Sequence, residues 1–406
     1  MTSGKAKVRN FDKTRWRVEN IFWKSCKNNA FNIVFNAGLA VGLPLSSSII
    51  KENKNDLEMA AKMWCWTSAI FRTFMFIISM IYIHQILPVA SVSITFYGYT
   101  VCGFLTMLAF IRDRKKLYKA TKNLMHLSTV LNPGAYIGCK YINFYLLTYF
   151  ASIFILAVVT SVFVFHDQRD YYGDTIYVPS FIPENSKQSF RNFAGFCVIS
   201  TFGLSVSASG YVFLLCSNLY ETLAGLISVY GEKLKKRSER MAWNVETIPD
   251  DINMFKHIAF RIHEVDDAVN MYVFFLYGTL ISGFFNTVSV IVAQNLLFKT
   301  TSSIIYIIWI VTTATLVLLG MSYHGSNIYD KGEEVKRQMV EYSDKFIRYS
   351  PSLSAMQVFN ILFDIITKTN MTITGGGMFI INYGLILTIA SVMVTYGVLI
   401  LQLDQK

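Results

Sequence analysis

Long apolar runs recur along this chain and are separated by shorter polar segments. A run of about 18 or more apolar residues is long enough to cross a lipid bilayer as a helix. The stretches that approach this length lie at about 31–50, 66–83, 94–111, 144–165, 191–216, 270–294, 304–323 and 377–402. The pattern predicts an all-α polytopic membrane protein.

Composition agrees with this class and excludes several others. Hydrophobic residues make up 53% of the chain and charged residues only 16%, a balance that is too apolar for a soluble enzyme of 406 residues. The formal net charge of +11 arises in short loops between apolar runs. Basic residues in such loops report membrane orientation, so the charge does not indicate nucleic-acid binding.

The basic segments fix the direction of the spans. The N-terminus "MTSGKAKVRNFDKTRWRVENIFWKSCKNN", which shows no signal peptide, and the segment "IRDRKKLYKATKN" after 111 are both basic and should be cytoplasmic. If both segments lie on the cytoplasmic side, the number of spans between them must be even, but three candidate spans separate them. The weakest is 31–50, which contains Asn32, Asn36 and Pro44. We interpret it as an interfacial or re-entrant segment.

Seven transmembrane helices remain, with a cytoplasmic N-terminus and an extracellular C-terminus. Residues 1–65 then form a cytoplasmic region that contains the interfacial segment, residues 66–402 form the seven-span membrane domain, and residues 403–406 form an extracellular tail. Apolar residues continue at helical spacing beyond lipid depth from Leu214 to Ser238. We therefore expect helical extensions that bundle beneath the membrane as an anchor.

The same pattern predicts the environment of one arginine, of one apolar helix face and of the cysteines. Arg72 lies in the first span, about two turns from its inner end, where we expect its side chain to reach the headgroups. In the segment after the sixth span, a helical stripe of Leu353, Met356, Phe359 or Asn360, Phe363 and Ile366 is expected to pack inward. The cysteines are interpreted as reduced, because none lies in a predicted outer loop.

Residue patterns for catalysis are scarce. The six histidines are dispersed, and the sequence contains no P-loop and no G-x-S-x-G elbow. The glycine run at Gly375, Gly376 and Gly377 follows no predicted strand, as a dinucleotide-binding motif would require. We expect no enzymatic activity, no metal site and no cofactor.

The last span carries a polar strip along one face. At about 100° per residue, Gly384, Thr388, Ser391, Thr395 and Gln402 fall within one narrow sector, and Leu399 lies beside it. The strip has two interpretations of equal weight: a seam of small residues where another helix packs, or the lining of a pore. One strip cannot enclose water, so a pore requires a symmetric oligomer.

The C-terminal sequence "TITGGGMFIINYGLILTIASVMVTYGVLILQL" resembles the signature of the insect gustatory receptors. In that family a cluster of small and aromatic residues precedes the last span, which ends in Thr-Tyr, five residues and Gln-Phe. Here Thr395, Tyr396 and Gln402 occur at that spacing, whereas Leu403 replaces the phenylalanine. The related odorant receptors share the general architecture but lack this motif.

The resemblance implies a ligand-gated, non-selective cation channel in the plasma membrane of sensory neurons. It implies a homo- or hetero-tetramer that opens with a small-molecule tastant and passes monovalent and divalent cations. Gln402 and Leu403 correspond to the pore constriction, and Thr395 and Tyr396 to the packing and lining of the same helix. Ser391 and Leu399 join the predicted pore residues through their place on or beside the strip. Gly375, Gly376 and Gly377 are assigned with Tyr396 to the packing motif. Gly397 stands where the sugar-receptor branch has glutamate, which argues against a close relationship to sugar receptors.

The resemblance also places a ligand pocket in the outer half of spans two to six. Aromatic walls with a few amides suit a small organic ligand. Each aromatic residue has the alternative of facing lipid or packing in the core. The candidates are Tyr97, Tyr99, Phe163, Phe196, Asn286, Gln294, Tyr306 and Trp309. An odorant-receptor-type subunit, an orphan transporter and a G-protein-coupled receptor of inverted topology remain as alternatives.

Overall fold

A computed structural model describes residues 30–40, 42, 56–86, 90–131, 141–162, 178–179, 182–240, 245–292, 301–349 and 352–404. Within these ranges the chain is helical apart from one small hairpin. The elements are α1 (Ala30–Ala40), α2 (Asp56–Ile86), α3 (Ala90–Leu131), α4 (Ile142–Val162), α5 (Glu184–Glu239), α6 (Ile248–Val292), α7 (Thr301–Tyr349), α8 (Leu353–Lys368), β1 (Thr374–Gly375), β2 (Phe379–Ile380) and α9 (Tyr383–Asp404).

Five helices, α2, α3, α5, α6 and α7, are long and apolar enough to cross a membrane, and α4 and α9 contain shorter apolar stretches. In lipid, a helix satisfies its own backbone hydrogen bonds, which explains why apolar runs of this kind fold as helices. These features describe a multi-pass membrane protein. The number of spans and their orientation remain predictions.

Four of the described helices, α3, α5, α6 and α7, far exceed the thickness of a bilayer. At 1.5 Å per residue, the 56 residues of α5 extend about 84 Å, whereas the hydrocarbon core measures about 30 Å. The predicted continuation from Leu214 to Ser238 lies within this single helix. Helices α3, α5, α6 and α7 therefore extend as one bundle beyond lipid depth into an adjoining helical region.

The buried core is continuous between the two regions. The ring of Phe110 stacks on Tyr272 with centroids 4.4 Å apart and meets Tyr211 edge-on at 5.6 Å, which joins α3, α5 and α6. Farther along, Phe346 of α7 stacks on Phe359 of α8 at 4.2 Å. This second contact fixes α8 against the extended end of α7.

A buried ion pair stabilises the end of α5 against the start of α6. The side chain of Asp251 is fully buried and accepts a hydrogen bond from Arg237, with the Lys233 ammonium 3.5 Å away. Arg237 also donates to the carbonyl of Thr247 at 2.9 Å. A buried carboxylate requires such partners, because an unpaired buried charge is strongly unfavourable.

Two helix boundaries differ from the limits of the predicted spans. Helix α3 does not end near 111 but continues to Leu131, because Leu117, Ala120 and Leu124 bury an apolar face between the basic side chains. The last helix begins at Tyr383 and not at 377, because the preceding glycines form a turn with positive φ that a helix does not allow.

Two side-chain predictions need correction. In α8, Phe359 and Ile366 are buried as predicted, but Leu353 is 75% exposed, and Ala355 and Leu362 complete the buried stripe. Arg72 does not extend outward. It is only 6% exposed and lies at a small cleft that Thr100, Thr201 and other residues of α3 and α5 line.

The segment predicted as interfacial or re-entrant is described only in part. Residues Ala30–Ala40 form α1, and its buried residues include Phe31, Val34 and Phe35. The remainder of 31–50 lies almost entirely outside the described ranges, so the choice between an interfacial and a re-entrant segment stays open.

The glycine turn generates a first prediction. Gly376 has φ +62°, and a Cβ there would lie 3.2 Å from the Phe274 side chain. We expect Gly376→Ala to lower the free energy of unfolding by about 1–2 kcal/mol, because L-residues disfavour this conformation. The measurement is thermal unfolding of the full chain in detergent.

Gly225→Ala is the matched control. Gly225 lies within α5, and a Cβ there would meet no neighbouring atom within 4 Å. This substitution should be neutral or stabilising by roughly 0.5–1 kcal/mol, because alanine is the better helix former. Equal destabilisation by both substitutions would contradict the assignment of strain to the turn.

Candidate functional site

The hairpin before α9 is attached to α6 by polar contacts. The backbone N–H of Thr374 donates to Asp266 at 2.7 Å, and its hydroxyl donates to the same carboxylate at 2.9 Å. The N–H of Gly376 donates to the carbonyl of Asn270 at 2.9 Å. Asp266 lies just before the predicted span 270–294. Burial raises the pKa of its carboxyl group, whereas the hydrogen bonds from Thr374 lower it.

The glycines make this attachment sterically possible. Gly376 and Gly377 both have positive φ and form the turn that pairs Gly375 with Phe379. The Phe379 ring then packs edge-on against Tyr277 of α6, with centroids 5.2 Å apart. The predicted packing role of the glycine cluster therefore has a structural basis in a hairpin that the sequence pattern did not reveal.

A second attachment lies along α9 itself. Tyr396 stacks on Phe285 of α6 with ring centroids 4.1 Å apart and an interplanar angle of 27°. Its hydroxyl forms a hydrogen bond with Ser289 at 3.0 Å. Gly397 is next to this contact, and a Cβ there would lie 3.6 Å from Val288. Tyr396 thus fixes which face of α9 is directed toward α6.

The polar strip lies on the uncovered side of α9. The side chains of Thr388, Ser391, Thr395 and Gln402 are exposed, whereas Ile389 on the opposite side is buried. Thr395 donates to the carbonyl of Ser391 at 2.9 Å, a bond that shields part of its polarity. Within the described part of the chain, the strip is thus not a packing seam against the chain's own helices.

The residues of the predicted pore constriction are described only in part. Leu399 lies beside the strip and is 51% exposed. Gln402 is exposed, and Leu403 belongs to α9, although the position of its side chain is not among the described features. The pore roles of these residues, and of Ser391 and Thr395, remain predictions.

An uncharged cavity of about 400 Å³ lies among α3 to α7. Its lining is aromatic and aliphatic, with hydroxyl groups in place of charges, so it suits a neutral organic molecule better than an ion. The lining includes Tyr99, Tyr145, Thr148, Tyr149, Ser152, Ser209, Phe213, Thr279, Leu280, Gly283, Trp309, Thr313 and Tyr323.

Two of the predicted ligand residues line this cavity. Tyr99 is buried in α3, and Trp309 of α7 donates from its indole Nε1 to Ser152 at 3.0 Å. The tryptophan is only 9% exposed, which places it in the core and not in a lipid-facing belt. The structure therefore brings together these two members of the predicted set.

The other predicted ligand residues lie elsewhere or are not described. The Tyr97 hydroxyl donates to the carbonyl of Met80 at 3.2 Å, and Asn286 donates to Thr95 at 3.2 Å. Neither they nor Phe196, which is 40% exposed, line the cavity. Depth in the membrane does not tell which way a side chain points, so it does not separate the residues that line this cavity from those that do not. Phe163 and Gln294 lie in undescribed segments, and of Tyr306 only the backbone within α7 is described.

Sequence reasoning missed the contribution of α4. Tyr145, Thr148, Tyr149 and Ser152 stand at positions i, i+3, i+4 and i+7 and occupy one face of a mostly apolar helix. All four line the cavity. This polar and aromatic stripe was a detectable signal in the sequence, comparable to the strip on the last span.

A buried polar chain lies beside the cavity. The Tyr145 hydroxyl is 3.4 Å from Nε2 of His324, and Nδ1 of His324 is 3.2 Å from a carboxylate oxygen of Glu221. His324 is only 2% exposed. The chain links a cavity-lining residue of α4 to α7 and α5. Among the described residues, no group of three or more histidine, cysteine or acidic side chains is arranged to hold a metal ion.

Comparisons with known proteins identify the fold. No family model matches the sequence, and no curated protein matches it. The solved structures that are similar include two of the insect olfactory receptor OR5 from Machilis hrabei. The complex with eugenol has a TM-score of 0.65 at 12% identity, covering 92% of this chain and 97% of the receptor. The other has a TM-score of 0.59 at 13% identity, covering 97% and 100%.

These likenesses establish a fold shared with an insect olfactory receptor over nearly the whole chain. At this level of identity they do not transfer residue roles. The predicted relationship to the odorant and gustatory receptor fold is thus supported at the level of architecture, whereas membership of the gustatory branch remains a prediction.

The hairpin attachment generates a second prediction. Asp266→Ala removes both acceptors for Thr374, and we expect a loss of about 1–3 kcal/mol in the free energy that holds the hairpin on α6. Hydrogen–deuterium exchange of residues 374–381 measures this as faster exchange. The control is Asp267→Ala, an exposed neighbour. Similar acceleration in the control would contradict the proposed attachment.

Proposed function

We propose that this protein is a chemosensory receptor that acts as a ligand-gated, non-selective cation channel. On this proposal it is a tetramer in the plasma membrane, and the last helix of each subunit lines one central pore. The N-terminus is cytoplasmic and the C-terminus extracellular, as the basic segments predict. The ligand is a small organic molecule that occupies the cavity among α3 to α7.

The observation that carries the proposal is the exposure of the polar strip on α9. Thr388 and Thr395 donate to carbonyls within α9, but their remaining lone pairs and the amide of Gln402 would face hydrocarbon without water if the strip lay against lipid, which is unfavourable. The chain's own helices lie on the other side, where Tyr396 contacts Phe285 and Ser289. If several copies of the chain placed their strips face to face around an axis, these groups could form hydrogen bonds with water and with one another. The shared fold with an olfactory receptor supports the same conclusion.

The choice between a gustatory and an odorant-type receptor rests on two different observations. The spacing of Thr395, Tyr396 and Gln402 favours the gustatory branch, whereas the similar solved structures are of an olfactory receptor. That receptor is solved in complex with eugenol. We therefore propose a ligand screen that includes both bitter compounds and small aromatic odorants.

Helix α6 offers a direct connection between ligand and pore. Its residues Thr279 and Gly283 line the cavity, and Phe285 and Ser289, within the next two turns, hold Tyr396 of α9. A ligand shifts the equilibrium only if it binds the open arrangement more tightly than the closed one. A small displacement of α6 by a bound ligand would reach α9 through these contacts.

The test is whole-cell current from cells that express the full chain alone. Gln402→Ala should alter ion permeation, seen as a changed reversal potential or single-channel conductance, because it removes the polar group nearest the end of the strip. Val394→Ala is the control: Val394 is 68% exposed but lies about 100° around the helix from Thr395.

The two variants together distinguish the interpretations of the strip. A ligand-evoked cation current whose permeation changes only in Gln402→Ala supports the pore. A current that is indifferent to Gln402 supports an intersubunit seam instead. No current in any channel assay, although the chain reaches the surface and binds ligand, would contradict a homomeric channel.

A further inference from the structure

We infer that the part of α3 that extends beyond lipid depth binds the headgroups of anionic phospholipids at the membrane surface. The binding surface consists of Lys115, Lys119 and Lys122, which together form the lysine face of α3. This surface is separate from the cavity and from the pore helix, and its position on the cytoplasmic side follows from the predicted orientation.

The lysine face is directed away from the core of the bundle. Positions i, i+4 and i+7 fall within about 60° around a helix, so Lys115, Lys119 and Lys122 share one side of α3. All three side chains are exposed. Leu117 and Leu124 lie about 180° around the helix from this side and are fully buried. Packing in the bundle therefore leaves the three ammonium groups uncovered.

The lysine face lacks the acidic partners that exposed lysines elsewhere in the chain have. Asp113 is the one acidic residue between 112 and 131, and Arg112 forms an ion pair with it at 2.7 Å. In α7 and α8, each of Lys331, Lys345 and Lys368 pairs with an acidic residue three or four positions away, at 2.6–2.8 Å. Among the described residues, no ion pair involves the lysine face.

The acidic residues of α6 that approach this part of α3 bind other groups. The carboxylate of Glu264 accepts hydrogen bonds from Arg261 of its own helix and from Asn123 of α3. The backbone carbonyl of Asp267 accepts from Lys116 at 2.7 Å, and no ion pair joins the Asp267 carboxylate to a described lysine. These bonds hold α3 against α6 and leave the positive charge of the lysine face uncompensated.

The lysine face also lies at the depth of the lipid headgroups. At 1.5 Å per residue, Lys115 lies about 6 Å and Lys122 about 16 Å beyond the end of the predicted span 94–111. The headgroup layer is about 5–8 Å thick on each side of the bilayer, and its negative potential extends roughly 8 Å farther. Helical side chains lean toward the N-terminal end of their helix, which is here the membrane end. All three ammonium groups therefore reach the field of the membrane surface.

Anionic phospholipids match this surface in charge and in position. A lysine without an internal partner binds phosphate oxygens as a point charge, so a headgroup with several phosphates can contact more than one of the three. Phosphatidylcholine carries no net charge and offers no comparable gain. Because Lys116 and Asn123 bond to α6, a lipid bound here would hold both helices at the membrane surface.

The test measures binding of dioctanoyl phosphatidylinositol 4,5-bisphosphate to the full-length protein in a nonionic detergent. Dissociation constants come from ligand-dependent thermal stabilisation. Dioctanoyl phosphatidylcholine tests for binding of any lipid, and inositol 1,4,5-trisphosphate tests for binding of the free headgroup. The variant combines Lys115→Gln, Lys119→Gln and Lys122→Gln.

The matched control combines Lys331→Gln, Lys345→Gln and Lys368→Gln. It removes the same charge from exposed lysines that already have acidic partners. Both sets lie on helix surfaces, so we expect both variants to fold.

In wild type we expect the phosphoinositide to bind at least tenfold more tightly than phosphatidylcholine and more tightly than the free headgroup. Each lysine near an anionic surface contributes roughly fivefold to binding, so the lysine-face variant should bind at least tenfold more weakly. The control should keep the wild-type constant. An unchanged constant in the lysine-face variant, an equal loss in the control, or no binding by wild type would overturn the inference. Equal binding of phosphatidylcholine or of the free headgroup would also overturn it.

Discussion

The attachment of the last helix to α6 is the constraint on which the functional arrangement depends. Asp266 holds the hairpin at one end of the shared length, and Phe285 with Ser289 holds Tyr396 at the other. With both contacts in place, α9 has one rotational setting. Its polar strip then faces outward, so a partner subunit or water is needed to satisfy it.

The same helix connects the two candidate sites. Thr279, Leu280 and Gly283 of α6 belong to the cavity wall, and the residues that hold Tyr396 follow within the next two turns. Packed helices transmit small displacements because close-packed interiors are stiff. The cavity and α9, the proposed pore helix at the edge of the bundle, are therefore connected through the single continuous helix α6.

Local features of this arrangement could be predicted from the sequence, whereas features that depend on contacts between distant residues could not. Helices and the polar strip were predictable, because lipid-length apolar runs and helical periodicity are local properties. The hairpin was missed because its glycine turn is defined by φ values and by contacts with Asp266 and Asn270, which are distant in sequence. Tyr99 and Trp309 were found from depth and type, whereas Asn286 and Phe196 were assigned by depth without knowledge of which way their side chains point.

The accessibility of single cysteines on α9 in intact cells distinguishes a water-filled strip from one that faces lipid. Thr395→Cys lies on the strip and Val394→Cys on the neighbouring exposed face, and the four native cysteines described are buried or partly buried. A water-soluble, membrane-impermeant thiol reagent added outside should label Thr395→Cys far faster than Val394→Cys, with further acceleration when the channel opens. Equal labelling of both positions, or labelling of Val394→Cys alone, would contradict a water-filled pore along the strip.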